Sequence, residues 1–408
     1  MKNNNRRRFL RQISLAAFSG AGVMTLPVNS FAGQTRRSRM DPEKGHVFLT
    51  APYLQAPEPD SMTIMWITNC LCNSWVEYGE TEQLGLKAHQ SANGLVNAYN
   101  RVNSIKLNGL KPGTTYYYRV CSQLFTDFQP YKIVYGDTIR SSVFNLKTQG
   151  IADKELSWLI LNDIHDHPES FGELIKLNGS QPYDFVFLNG DMFNYQEDEK
   201  QFIENLLHPC SLFSSNVPFM LVRGNHETRG RFARDIYPYY TNYNNSQYFT
   251  FERGPVFSIV LDTGEDKEDT HPEYGGICDF DAYRIEQARW LEAQMKTGAY
   301  KKAKFRVVMM HIPHYHSDGR YGSEHCRSVF GPLFNKYKID LLICGHTHVY
   351  GVYPPDTPNH NYPIIIGGGP AKGKRTLIKI NVKDDTLNLQ MLRDDGQEVG
   401  KYTLRSTV

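Results

Sequence analysis

The chain has almost no excess of either charge, with 45 Lys and Arg against 43 Asp and Glu. Beyond its amino terminus it has no run of about 18 apolar residues suited to a membrane span, and it has no internal repeat and no low-complexity tract. A balanced chain lacks the basic footprint of a nucleic-acid or anionic-membrane binder, so neither partner is expected. Cysteine is sparse and odd in number: Cys70, Cys72, Cys121, Cys210, Cys278, Cys326 and Cys344 form no disulfide framework. Cys70 and Cys72, two apart, read as small buried side chains. An oxidising compartment permits a bridge such as Cys278–Cys326, which the spacing alone does not establish.

The basic charge that is present concentrates at the start. Arg6-Arg7-Arg8-Phe9-Leu10-Arg11 precedes a weakly apolar stretch from Ile13 to Val28 and the small residues Ser30-Phe31-Ala32. This has every part of a twin-arginine export signal over residues 1–32, which predicts a periplasmic or secreted protein. Cleavage after Ala32 removes five basic residues and no acidic one, leaving a net charge of −3. Residues 33–45 are polar and read as a linker.

Residues 46–149 show short alternating strands with turn signals and no helical period. Strands are expected at 61–68, 74–78, 103–107, 115–120 and 142–146. Trp66 sits in an alternating run, and Leu110-Lys111-Pro112-Gly113-Thr114-Thr115-Tyr116 places a Tyr after a turn, where its hydroxyl can bond back to the chain. This segment resembles a fibronectin type III module. From 150 to 408 the texture becomes strands alternating with helical patterns, which predicts a largely parallel sheet covered by helices. The helix over 281–295 is the clearest, with Ile285, Ala288, Leu291 and Met295 on one face. Segments 363–366, 376–380 and 387–391 read as closing antiparallel strands.

Five polar motifs follow apolar runs in this second region: Asp163-Ile164-His165, Gly190-Asp191, Gly224-Asn225-His226-Glu227, His311 and Gly345-His346-Thr347-His348. In α/β sheets, ligands bind at the carboxyl ends of strands, so five strand ends converge on one polar site. Asp, His and Asn are oxygen and imidazole donors suited to borderline metals. Seven donors are too many for one ion. Two ions sharing a carboxylate would use them all, a recurring arrangement for phosphoester hydrolysis. Asp163 and His165 point the same way if the chain there is extended, and Asp191 is the natural bridge.

This motif set resembles the calcineurin-like metallophosphoesterases over residues 156–350. The resemblance implies a metallophosphoesterase sheet sandwich covered by helices, here preceded by the all-β fibronectin type III-like sandwich. It further implies that Asp163, His165, Asp191 and His348 hold one ion, and that Asp191, Asn225, His311 and His346 hold the other. The ions would be Mn, Fe or Zn, with a hydroxide between them attacking phosphorus. His226 would face the substrate phosphate, with Glu227 fixing its tautomer. The domain plan, together with His311-Ile312-Pro313-His314 and Gly345-His346-Thr347-His348-Val349-Tyr350, is similar to purple acid phosphatases. Two positions depart from that family, which has Gly at His165 and Tyr at Asn194; Tyr195 is one place too far along. No charge-transfer colour is therefore expected.

His314, His316 and His325 are candidate substrate contacts in a loop that can close over the site, and Arg223 and Arg320 are further candidates. Tyr183, Tyr195 and Tyr350 read as packing residues. The expected function is hydrolysis of a small phosphomonoester. The same donors serve a phosphodiesterase or nucleotide pyrophosphatase. A non-catalytic binding protein is the remaining alternative, and it would be favoured by loss of a ligand; none is lost.

Overall fold

The strand Glu155–Leu161 alternates between two cores within seven residues. Leu156, Trp158 and Ile160 enter one hydrophobic cluster, while Leu159 and Leu161 enter another. In the computed structural model, which describes residues 45–150, 153–317 and 319–406, this double burial recurs along each strand preceding the site. It explains why those strands read as continuous apolar runs: both faces are covered. The expected export signal, and all of the expected linker except Gly45, lie outside the described residues. The described residues form one compact unit.

The second region is two six-stranded sheets face to face. The first runs in the order Phe219–Val222, Phe185–Asn189, Glu155–Leu161, Thr376–Lys383, Thr386–Arg393 and Glu398–Arg405. Its first three strands are parallel. The second sheet orders Phe249–Arg253, Val256–Leu261, Phe305–Met310, Leu341–Cys344, Ile364–Ile366 and Gly351–Tyr353, with four parallel members. One shared core, including Trp158, Phe187, Val222, Val307 and Ile343, fills the space between them. Truncating such an aromatic to Ala costs about 3–5 kcal/mol. Helices cover the outer faces, and both sheets present strand carboxyl ends to the same site. The parallel strands are thus divided between two sheets. Ile364–Ile366, read as a closing antiparallel strand, pairs antiparallel with Gly351–Tyr353 on one side and parallel with Leu341–Cys344 on the other.

The helix Phe280–Met295 buries Leu291 and Met295 as expected, with Ala288 packed against the same core, but Ile285 is displaced from that face. Arg284, Gln287, Leu291 and Met295 are buried, whereas Ile285 is 40% exposed. Polar partners explain the exchange. Arg284 Nε donates to Thr263 O at 2.8 Å and its Nη2 to Glu265 O. The Gln287 amide pairs with both the N–H and the C=O of Asp262. This helix therefore clamps the loop that follows Val256–Leu261.

The first region is an all-β sandwich. The stretch expected as two strands is one, Ser61–Gly79, which pairs with Asn100–Asn108 along its first half and with Thr115–Gln129 along its second. Lys132–Arg140 is an additional strand, mostly exposed. Tyr116 Oη accepts from Lys111 N at 3.0 Å, the tyrosine-corner bond. Trp66 is fully buried, donating to Ser122 Oγ. The sandwich docks through Tyr53 Oη to Tyr239 O, Tyr118 Oη to Ser215 O and Gln55 Nε2 to Phe219 O. Phe219 opens its strand, so this contact lies at the end away from the site. The cysteines are unpaired, including Cys278 and Cys326, and Cys70 and Cys72 are buried as expected.

Candidate metal centre

The first sheet delivers Asp163, His165, Asp191, Asn225 and His226 from its three parallel strand ends; the second delivers His311, His346 and His348. Asp163, His165 and His348 form one group with donor atoms within 4.8 Å of one another, and Asp191, His311 and His346 form another. Asp191 Oδ2 lies 3.0 Å from His311 Nε2 and 3.6 Å from His165 Nε2, so it stands between them. Asn225 Oδ1 is 2.9 Å from His346 Nδ1. The structure thus brings together all seven donors singled out in the sequence.

The backbone achieves this differently from the extended geometry anticipated. Asp163, His165, Asp191, His346 and His348 all have φ between 50° and 72°. Left-handed conformations in non-glycine residues cost of order 1–3 kcal/mol each and cluster at functional sites. The motif glycines permit the close approach: a Cβ on Gly190 would lie 2.5 Å from His311 Nδ1, and one on Gly345 would lie 2.4 Å from Asp163 Oδ2.

The donor set fits cations. His311 Nδ1 lies 2.8 Å from Asn189 O, which can only accept, so the proton sits on Nδ1 of the neutral ring and Nε2 presents a lone pair. That buried Nε2 makes no aligned hydrogen bond. Burial opposes charge on His311, yet the Asp191 and Asp163 carboxylates outweigh it and raise its pKa to about 10. The pocket attracts positive charge. Burial also opposes ionisation of Asp191, but His311 and His226 hold it down at about 2. His346, less favourably placed, is pushed down to about 4 by burial and then by His311.

Glu227 does not touch His226, contrary to expectation. It is fully buried, and its carboxylate accepts from the N–H groups of Asp191, Met192 and Gly224 at 2.7–2.8 Å. Burial and the Asp191 charge push its pKa up to about 7. Its work is to hold the Asp191 loop against the Gly224 turn. His226 instead donates from Nδ1 to Asn194 O at 2.6 Å and accepts at Nε2 from Arg229 Nη1 at 3.1 Å. Asn194, by its side chain, meets His165: Oδ1 lies 3.1 Å from Nδ1. The two positions that depart from purple acid phosphatases are therefore in contact with each other.

The three candidate substrate histidines lie elsewhere. His314 is buried against Tyr362 Oη at 2.8 Å. His316 stacks on Tyr353 and meets His360, and His325 pairs with Asp281 at 3.0 Å. All three are occupied by packing or hydrogen bonding on the helix-covered side of the second sheet. Arg223 is buried against Asp262, and Tyr195 is 52% exposed rather than packed. The cavity at the site has a volume of about 310 Å³. Its lining joins the donors Asp191, Asn225, His346 and His348 to the charged side chains of Arg229, Asp266, Lys267 and Arg320. Of these cations the sequence reading named only Arg320. A sixth strand end was the available signal, since Asp262 to Lys267 directly follows Val256–Leu261.

Two facing sheets whose strand ends carry this Asp, His and Asn set define a metallophosphoesterase with a two-metal centre. The comparisons agree. Residues 156–350 match the family described as Calcineurin-like phosphoesterase, and residues 46–148 match Purple acid Phosphatase, N-terminal domain. The chain is 24% identical to Purple acid phosphatase 22 of Arabidopsis thaliana over 336 residues, covering 77% of this chain and 67% of the relative. It is 25% identical to Acid phosphatase type 7 of Mus musculus, covering 76% and 71%. A purple acid phosphatase from yellow lupin, Lupinus luteus, shares the fold with a TM-score of 0.68 at 16% identity, covering 87% of this chain and 74% of that one. The chain joins a calcineurin-like phosphoesterase domain to a purple acid phosphatase N-terminal domain, and it is a phosphoric ester hydrolase.

Proposed function

We propose that the protein is a phosphomonoesterase whose two ions share Asp191. The observation that carries this reading is the position of that carboxylate between His311 and His165. Asp163, His165, Asp191 and His348 would hold one ion, and Asp191, Asn225, His311 and His346 the other, with Mn, Fe or Zn suited to the donors. Bound there, the ions supply Lewis acidity toward the phosphoester and activate water. Glu227 keeps Asp191 in place through the backbone, and Asn194 fixes the tautomer of His165. His226 and Arg229 face the substrate as a pair, the guanidinium adding positive charge beside the transferred phosphoryl group. A cavity of about 310 Å³ suits a compact monoester better than a diester with two bulky arms.

Purified protein with two bound ions per chain should hydrolyse p-nitrophenyl phosphate well ahead of bis-p-nitrophenyl phosphate. Preference for the diester would overturn the monoester reading, and inactivity of metal-replete protein on both would overturn the enzyme reading. We read residues 46–149 as a structural sandwich and 150–408 as the catalytic domain. Among the described residues, no helix is long and apolar enough to cross a membrane. Residues 1–32 would export the protein to the periplasm by the twin-arginine route; replacing Arg6 and Arg7 together by Lys should retain it in the cytoplasm, and unchanged export would refute that route.

A further inference from the structure

Asp166 directly follows the donor His165, has a left-handed backbone with φ 59°, and gives its carboxylate to a different loop. Its Oδ2 accepts from the Asn194 N–H at 2.9 Å, while Oδ1 accepts from Asn205 Nδ2 at 2.7 Å and Gln201 Nε2 at 3.3 Å. Gln201 Nε2 also donates to Tyr195 O at 2.8 Å, so the segment is tied at successive residues.

Asn194 meets His165 and His226 at once. Its Nδ2 donates to His165 O at 3.3 Å, which leaves Oδ1 as the acceptor for His165 Nδ1 at 3.1 Å, and its backbone O accepts from His226 Nδ1 at 2.6 Å. Both rings are thereby held with the proton on Nδ1 and the lone pair on Nε2. His165 then aims Nε2 among Asp163, Asp191 and His348, and His226 aims Nε2 at Arg229. The rings touch edge to face, with centroids 4.6 Å apart. Further along, Gln196 Nε2 donates to Glu227 O at 2.6 Å and Gln196 N to Arg229 O at 2.9 Å, so a shift of segment 194–196 moves the turn that bears His226.

We propose that Asp166 is a positioning residue that sets an ion donor and the substrate-facing histidine together, by holding the Asn194 peptide on which the orientations of His165 and His226 both depend. A carboxylate suits this task because each oxygen accepts on a different side; an amide in its place accepts on one side only. The inference rests on the two-metal phosphoesterase reading, in which His165 holds the first ion and His226 faces the phosphoryl group.

Asp166→Asn tests it at constant side-chain size, and Asn tolerates the left-handed backbone there. In metal-free protein carrying isotope-labelled histidine, the Nδ1–H protons of His165 and His226 should both be protected from solvent exchange in the wild type, and both should exchange faster in the variant by NMR. Affinity for the first ion, read by calorimetry, should fall about tenfold, the lower end for losing support behind a ligand histidine. With both ions saturating, kcat for p-nitrophenyl phosphate should fall about fivefold with KM nearly unchanged, a fraction of what a full ångström of misplacement costs. Adding Asn205→Asp returns a carboxylate to the pair from the other side and should restore ring-proton protection, ion affinity and kcat together. A variant that unfolds earlier in denaturant but keeps both ring protons, ion affinity and kcat would overturn the proposal, as would a change at His165 without one at His226. A wild type that binds no ion and turns over no ester would instead overturn the two-metal reading, because the ring-proton measurement depends on neither.

Discussion

The two sides of the cavity are built on different principles. The donor side is frozen: Asp163, Asp191, Asn225 and His311 are at most 2% exposed, glycines pack against them, and the backbone accepts left-handed strain to aim them. The cation side is tethered rather than packed, with long side chains held at their tips by Glu265 and Asp266 and open along one flank. Ligand geometry tolerates errors of tenths of an ångström, whereas charge recognition across a wet cleft tolerates more. The contrast teaches that one site can fix its chemistry rigidly and leave its selectivity adjustable.

The largest effect should come from the donor side. Asp191→Asn leaves the fold intact but removes the shared charge, so bound metal should fall below two ions per chain and ester hydrolysis should drop to background. Wild-type turnover in that variant would break the assignment of Asp191 as the bridge. The cation side is best attacked through its clamp. Arg284→Met leaves Thr263 O and Glu265 O without their buried donor, which should cost about 2–4 kcal/mol in denaturant unfolding. It should also lower kcat/KM for p-nitrophenyl phosphate more than it lowers metal content. Equal loss of both would show that the two sides are not separable.

This contrast also explains what was legible in the sequence. The donor side could be read because each residue follows a doubly buried strand and each turn carries its own signal: Gly190 before Asp191, Gly224 before Asn225 and Gly345 before His346. The cation side offers no such signature, since Arg229, Lys267 and Arg320 come from three segments and act only when Asp266 collects them. His314, His316 and His325 misled because nearness to His311 in sequence says nothing about facing; the chain turns them toward Tyr362, Tyr353 and Asp281. Ile285 misled for a related reason, since apolar periodicity has no term for an Arg whose donors meet the carbonyls of Thr263 and Glu265 and the Asp281 carboxylate. In the sandwich, Tyr116 was recognisable from its turn, while the change of partner midway along Ser61–Gly79 was not, because polar Asn69 and Asn73 look like a break between strands.

A smaller effect probes the contact peculiar to this donor side. Asn194 holds His165 through Nδ1 and so directs Nε2 toward Asp163 and His348. Asn194→Ala should weaken binding of the first ion about 10–100-fold, the usual consequence of removing a partner behind a ligand histidine. Titration of metal-free protein by calorimetry reads this directly, with KM for propyl phosphate changing less than the metal affinity. An unaltered affinity would reduce Asn194 to packing.

The smallest effect lies farthest away and checks that the comparison concerns the cavity and not general stability. Tyr116→Phe removes one hydrogen bond, to Lys111 N, in a sandwich that supplies no residue to the cavity lining. The loss should be about 1 kcal/mol of stability, seen as an earlier unfolding midpoint. The sandwich docks at the opening of Phe219–Val222, whereas Asn225 lies beyond the far end of that strand, so a loosened corner has a rigid buried strand between it and the donors. Metal stoichiometry and kcat/KM for p-nitrophenyl phosphate should therefore both hold. A fall in kcat/KM with metal stoichiometry unchanged would mean that the sandwich sets the position of the cation side, and that the softer part of the site extends through the first region of the chain.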